Sequence, residues 1–346
     1  MNPTSFYNNK QVFVTGGAGF IGSHLVDTLI QLGAIVTIGD NFSSGSKENI
    51  FRAWTNNKLR YKETANGKGK ADGGHCFVTV DFQDLTETKH VLKNQDIVFH
   101  LAANIGGRGY IAEHSADCCE GFSINQNVVK AAHENGVERV LFASSACAYP
   151  VELQSSYNSQ YLLQEEDAYN KGWANADETY GWAKLMGEEV LRSYCKQYGL
   201  QGSVTRYVTA YGPHENTSHA VIALIERALQ KKDPYVVWGT GNQDRDFTYV
   251  DDIVSGTLLV CEKVTDGSSV NLGTSKRYTM KKVVEMIFDI VGWRPKKIVF
   301  DTTKPEGVKT RALSIEKARS LGWNPECTFD KGLKKTIEWF QHEMSS

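Results

Sequence analysis

The run Thr15-Gly16-Gly17-Ala18-Gly19-Phe20-Ile21-Gly22 constrains this chain more than any other stretch. It follows a short apolar segment, Gln11–Thr15. It precedes Ile21–Leu32, where apolar residues recur at helical spacing until Gly33 stops them. A strand that enters a helix through glycines placed this way makes a tight turn. Its backbone can approach a pyrophosphate closely, and the helix N-terminus faces the negative charge. Glycine spacing alone is a weak signal; the strand before it and the helix after it make this one specific.

The segments that follow repeat the alternation. Ala34–Gly39, Cys76–Val80, Asp96–Leu101 and Arg139–Ala143 read as buried strands, and Phe122–Asn135 as a helix. This pattern predicts an α/β fold with a Rossmann-type doubly wound parallel sheet. Ligands of such sheets bind beyond the carboxyl ends of the strands. Gly16, Gly19, Phe20, Ile21, Gly22, Asp40, Asn41, Asp81, Phe82, Leu101, Ala102 and Ala103 are therefore expected along one dinucleotide crevice, with Ser144 and Ser145 beside it. Asp40 would accept hydrogen bonds from a ribose diol and repel a 2′-phosphate, which favours NAD over NADP. Asp81 suits either the adenine edge or a helix cap. Glu63–His75, rich in Gly and Lys and without periodicity, reads as a surface loop.

A long helix is expected over Thr179–Tyr198. It carries Tyr180 and Lys184 at i and i+4, on one face. A lysine ammonium at that spacing is expected to favour the phenolate and make the tyrosine a usable base, with Ser145 orienting a substrate hydroxyl. Upstream lies Ser144-Ser-Ala-Cys147-Ala-Tyr-Pro150. A thiol here can serve as a small buried hydrophobe or as an acid–base group on carbon. Beyond Gly202–Arg206, a further strand, helices are expected near Ala220–Gln230, Asp251–Cys261 and Lys281–Val291, in a smaller mixed α/β substrate domain.

Composition excludes several classes. Net charge is −2, so no basic field draws nucleic acid or acidic lipid, and a small-molecule partner is favoured. Seven scattered cysteines without a C-x-x-C pair read as reduced thiols, not as disulfides or metal ligands. Val12–Gly22 is too short and glycine-rich for a membrane span, and a cytoplasmic protein is expected.

Taken together, Thr15–Gly22, His100-Leu-Ala-Ala103, Ser144-Ser145, Tyr180-x-x-x-Lys184, Tyr211-Gly-Pro213 and Arg245-Asp-Phe-Thr-Tyr-Val-Asp-Asp252 resemble the extended short-chain dehydrogenase/reductases, the nucleotide-sugar epimerases and dehydratases, over nearly the whole chain. Gly106-Gly107-x-Gly109 with the Cys147 segment is similar to GDP-mannose 3,5-epimerases. Tyr211-Gly-Pro-His-Glu-Asn216, Ser218-His219 and Lys304-Pro-Glu-Gly307 are similar to GDP-fucose synthases.

The resemblance implies a dinucleotide domain over 1–206, re-entered at about 249–272, and a nucleotide-sugar domain over 207–248 and 273–346. It implies tightly bound, recycled NAD and a homodimer. The substrate implied is a nucleotide-diphosphate sugar, with GDP favoured and UDP or dTDP open. Tyr180, Lys184, Ser145, Cys147 and His219 are the implied catalytic set. Gly107, Arg108, Ser145, Cys147, His219, Arg245, Lys309 and Arg311 are the implied substrate contacts, Arg245 because a guanidinium fork matches phosphate oxygens. The reaction implied is inversion at C3 or C5 through a transient 4-ketone. Alternatives are an NADPH-dependent epimerase/reductase, a 4-epimerase or 4,6-dehydratase, and a non-enzymatic NAD-sensing scaffold.

Overall fold

The computed structural model describes residues 4–64, 68–104, 106, 108–169 and 174–345. Its centre is a nine-stranded sheet. Eight strands, in chain order, are β1 (Gln11–Thr15), β2 (Ile35–Asp40), β3 (Tyr61–Thr64), β4 (Lys68–Ala71), β5 (Cys76–Thr79), β6 (Ile97–His100), β7 (Arg139–Ser145) and β8 (Gln201–Tyr207). The ninth, Asp266–Leu272, pairs with β8 at one edge. Across the sheet the order is Asp266–Leu272, β8, β7, β6, β1, β2, β5, β4, β3. Pairing is parallel as far as β5; β4 and β3 run antiparallel.

Apolar side chains from the two faces of these strands enter two cores. On one side Val12, Val14 and Leu141 meet Leu25, Val26, Ile253 and Val254 of helices Phe20–Gln31 and Val250–Lys263. On the other, Phe13, Val98 and Phe142 meet Val128, Val129 and Leu191 of helices Glu120–Glu134 and Glu178–Tyr198. A fully buried side chain of this kind contributes about 1.5–3 kcal/mol.

The chain leaves the sheet after β8 and comes back through Val250–Lys263 and Asp266–Leu272. The remaining elements include helices Ala220–Leu229, Met280–Val291 and Phe329–Ser345. They also include a parallel pair, Tyr235–Trp238 with Ile298–Asp301, and a small sheet of Asp244–Arg245 between Tyr278–Thr279 and Thr310–Arg311.

One expectation fails in this region of the sheet. Glu63–His75 is not a plain surface loop: β3 and β4 form a hairpin that extends the sheet beyond β5. Tyr61 of β3 stacks on Phe51 at 4.8 Å, and Gly69 lies so close to Phe77 that any side chain there would collide with the ring. The aromatic residues that anchor the hairpin, Tyr61, Phe51 and Phe77, lie outside the Gly/Lys-rich stretch that suggested a loop.

Candidate active site

β1 and β6 lie side by side, yet the chain moves to opposite sides of the sheet after them. The crevice opens at their carboxyl ends. Gly16 has φ +68, and a Cβ there would lie 2.9 Å from the Ala102 backbone nitrogen. A Cβ at Gly22 would fall on the Gly16 carbonyl oxygen. The glycines thus let the helix press against the turn. Helix Phe20–Gln31 begins at Gly19 with no side-chain cap, so its first N–H groups stay available to an anion. Gly16, Gly19, Phe20, Ile21, Gly22, Asp40, Asn41, Asp81, Phe82, Leu101, Ala102, Ala103, Tyr180 and Lys184 all line one cavity of about 310 Å³.

Asp40 accepts the Ala18 N–H (3.0 Å) and the Phe42 N–H (2.8 Å). Burial pushes its carboxyl up, against the pull of these N–H groups. Asp81 accepts the Gln83 N–H at 3.0 Å. It does not cap the next helix. Asp84 does, accepting from Thr86 and Glu87.

A buried chain of hydrogen bonds joins the crevice to the Tyr/Lys helix. Thr15 Oγ1 accepts the N–H groups of Leu101 (3.1 Å) and Ala102 (3.0 Å). Its own proton must then go to His100 Nδ1, 2.9 Å away. That leaves Nε2–H to donate to Asn125 Oδ1 (3.1 Å), while Asn125 Nδ2 donates to the Ala183 carbonyl (2.9 Å). Burial and the Lys184 charge hold the His100 pKa down at about 3, which fits this neutral tautomer.

Tyr180 and Lys184 face the crevice as expected from their spacing, but their electrostatics differ from the sequence expectation. Lys184 Nζ donates to the Ala143 carbonyl at 2.7 Å and sits 5.7 Å from the Tyr180 ring centre. Burial lowers Lys184 to about 8 and pushes the Tyr180 phenol well up; the opposing pull on Tyr180 comes from the Ser145 side chain. In the protein alone, desolvation outweighs the lysine.

Behind the pair, Glu188 and Arg206 form a fully buried ion pair (2.7 Å). Ser144 Oγ and Tyr169 OH donate to the same carboxylate. Ser144 is thereby committed to the scaffold. Ser145 Oγ accepts the Cys147 N–H at 3.1 Å. The Cys147 carbonyl accepts the Asp177 N–H at 2.8 Å. Gly181 permits this docking, since a Cβ there would fall on the Cys147 oxygen.

A second cavity, about 510 Å³, begins where the first ends. Gly106, Tyr180, Tyr207, Ser218 and His219 belong to both walls. Ser145, Cys147, Asp177, Arg245 and Arg311 line the second. Arg311 uses all three nitrogens. Nε donates to Gln154 (2.5 Å), Nη2 to Asp177 (2.7 Å), and Nη1 to Cys147 Sγ (3.1 Å). Arg245 donates to the carbonyls of Asp244 (2.7 Å) and Glu306 (3.2 Å).

Lys309 does not join them. It lies on a separate open cleft, ion-paired to Glu306 at 2.7 Å and bonded to Tyr157 at 3.0 Å. Gly107 and the Arg108 side chain lie outside the described residues; the Arg108 backbone begins helix Arg108–Glu113.

His219 Nδ1 stands 3.0 Å from Glu215 Oε1, an ion-pair distance bent away from a straight hydrogen bond. Glu215 is 7% exposed. Burial pushes its carboxyl up, and Glu215 in turn raises His219 against the cost of the ring's own burial. His214 lines the first cavity, stacks on His24 at 4.6 Å and contacts Ser23 Oγ at 3.0 Å. It belongs to the cofactor side of the crevice.

Glu215, Asp177 and Gln154 escaped the sequence reading. Glu215 had a readable signal, since it stands at i−4 from His219. Asp177 and Gln154 meet Arg311 only through the tertiary fold, and nothing local marks them.

These features define a dinucleotide-dependent α/β enzyme with a second, largely apolar cavity adjoining the first. The chain belongs to the NAD dependent epimerase/dehydratase family, whose model matches residues 12–273. NAD is accordingly its cofactor. The chain is 30% identical to a putative UDP-glucose 4-epimerase of Methanocaldococcus jannaschii, over 96% of this chain and 98% of that one. It is 29% identical to GDP-mannose 3,5-epimerase of Arabidopsis thaliana, over 97% and 83%. Among solved structures it superposes on Thermotoga maritima UDP-glucose 4-epimerase with UDP-glucose, with a TM-score of 0.81 and 28% identity, covering 96% and 99%.

Proposed function

We propose that the chain is a nucleotide-sugar epimerase that inverts C3, C5 or both through a transient 4-ketone, with a GDP-sugar as the favoured substrate. The observation that carries this reading is the second cavity, where Cys147 and His219 share a wall with Tyr180. A 4-epimerase needs only the hydride pair; inversion at a neighbouring carbon needs a proton acceptor and a proton donor as well.

The residues present suit tightly bound NAD. The uncapped helix at Gly19 takes the diphosphate, and Asp40 takes the adenosine ribose. When bound, NAD supplies the hydride acceptor at C4 and a positive ring charge that favours the Tyr180 phenolate, and it is regenerated each cycle. Tyr180 takes the proton of the C4 hydroxyl and returns it at the end. Ser145, whose hydroxyl holds the Cys147 N–H, orients that hydroxyl. The 4-ketone acidifies the hydrogens on C3 and C5. Cys147, with the Arg311 guanidinium on its sulfur, removes one of them, and His219 delivers a proton to the opposite face. Arg245 binds the substrate diphosphate. Exposed Phe122 and Met186, on the packed helices Glu120–Glu134 and Glu178–Tyr198, support a homodimer formed through these helices.

The test is incubation with GDP-, UDP- and dTDP-hexoses in D₂O. Deuterium should appear at C3 or C5 of the accepted sugar, and Cys147→Ser should slow its entry by about 10²–10⁴-fold while NAD stays bound. A second reading, 4-epimerisation of a UDP-sugar, has the support of the names of two relatives. Interconversion at C4 without any deuterium would decide for it.

A further inference from the structure

We infer that Glu215 is the positioning residue of His219: a buried carboxylate that orients the imidazole at the junction of the two cavities and makes it a proton donor. This rests on the role given to His219 above.

The loop between Tyr211 and the helix Ala220–Leu229 is built to bring the two side chains together. His214 takes a left-handed backbone, φ +68, which turns the chain so that Glu215 points inward while Asn216 and Ser218 stay outside. Asn216 then closes the turn: its side chain accepts the Ser218 N–H at 2.8 Å and its carbonyl accepts the His219 N–H at 3.1 Å. The His219 carbonyl accepts the Ala223 N–H at 2.9 Å, which makes His219 the first residue of the helix cap. The His219 backbone is thus fixed at the start of the helix, and the buried Glu215 side chain meets its ring from the preceding turn. Glu215 borders neither cavity, whereas His219 borders both. Whatever Glu215 does for chemistry, it does through His219.

Two local fields act on the ring in opposite directions. The N-terminus of helix Ala220–Leu229 carries partial positive charge and disfavours an imidazolium. Burial of the ring also disfavours the imidazolium, whereas a carboxylate at 3.0 Å favours it. The carboxylate wins. The Gly106 carbonyl also accepts from the ring and works in the same direction. The other charged or titratable groups lining the two cavities that the ring borders are Arg227, Arg245, Arg311 and Lys184, the carboxylates Asp177, Glu306, Glu120, Asp40 and Asp81, the Cys147 thiol, the phenols of Tyr110, Tyr180 and Tyr207, and His214. The cations oppose protonation, and Asp177 and Glu306 are ion-paired to Arg311 and Lys309, so Glu215 is the carboxylate in ion-pair contact with the ring. A surface pair at i and i+4 would do little of this, because water would screen it. The burial of Glu215, whose side chain is 5% exposed against 33% for His219, is what makes the pair effective, and it is also why Glu215 needs a cationic partner.

The experiment is an NMR titration of the full-length protein with its NAD, carrying ¹³C-labelled histidine, with the His219 signal assigned by its loss in His219→Asn. In Glu215→Gln the His219 midpoint should fall by about 1–3 pH units. Glu215→Asp, which keeps the charge at a longer reach, should fall between; it carries the test if the Gln variant does not fold. A midpoint that stays in place in the folded variants overturns the assignment. This readout is independent of turnover. Loss of the deuterium result with a shifted midpoint would remove the epimerase reading and leave the pair standing. The reverse outcome would remove the pair and leave the epimerase.

Discussion

At the scale of single residues, what decides the site is how each charge is housed. Asp40 gives up part of its carboxylate to Ala18 and Phe42, and what remains faces the cavity. Hydrogen bonds to a charged group are worth about 1.5–3 kcal/mol, so Asp40→Ser should weaken NAD binding by about 10–100-fold. Binding of NADP should fall less or rise, since the repulsion of a 2′-phosphate is also lost. Isothermal titration with the two dinucleotides checks this, and equal losses for both would show that Asp40 does not face the ribose. The residues that local spacing marks were legible in the sequence as a crevice: the glycines, Asp40, Tyr180 and Lys184 all line it. Residues that act through another were not. Asp177 and Gln154 become meaningful only when Arg311, far along the chain, is folded between them and Cys147. The pull of Lys184 on Tyr180 was misjudged for a related reason, because sequence spacing reports proximity and says nothing about how dry the surroundings are.

At the scale of elements, the alternation of strands and helices up to Ser145 was readable because the buried strands are short runs rich in Val, Ile and Phe. The hairpin of β3 and β4 and the helix Lys47–Asn56 were not. Their sequences are polar, and they are held by a few aromatic contacts around Trp54 and Phe77. One close fit between elements is that of the Tyr/Lys helix on the turn Ala146–Ala148, through Gly181. Replacing Gly by Ala in a helix gains about 1 kcal/mol in propensity. Forcing a methyl into a packed contact costs about 1–3 kcal/mol. Overpacking should therefore win in Gly181→Ala. The variant should melt at a lower temperature, and it should lose turnover beyond what the melting change explains, because Cys147 and Tyr180 are pushed apart. A melting temperature at or above the parent's, read by calorimetry, would show that the turn yields freely.

At the scale of the whole molecule, the buried chain Thr15, His100, Asn125, Ala183 ties β1, β6 and the helices Glu120–Glu134 and Glu178–Tyr198 into one unit. It also makes stability depend on acid. His100 has a folded pKa near 3 against an ordinary value of 6.5. A lowered folded pKa means that the unfolded chain binds the proton more readily. The contribution of His100 is therefore intact above about pH 6.5 and is lost as pH falls below it, at up to about 1.4 kcal/mol per pH unit. Urea unfolding at pH 7, 6 and 5 should show this decline in the parent and a shallower one in His100→Gln. Parallel declines would place the acid sensitivity elsewhere.

The wall between the two cavities has a thermodynamic consequence of its own. Tyr180 and His219 form part of both binding surfaces, so a ligand on one side sets the positions of atoms that the other ligand must meet. Any factor by which the nucleotide sugar tightens NAD must equal the factor by which NAD tightens the nucleotide sugar. On the proposed reaction, this shared partition lets the oxidised sugar, still in place, help hold the dinucleotide through oxidation and return.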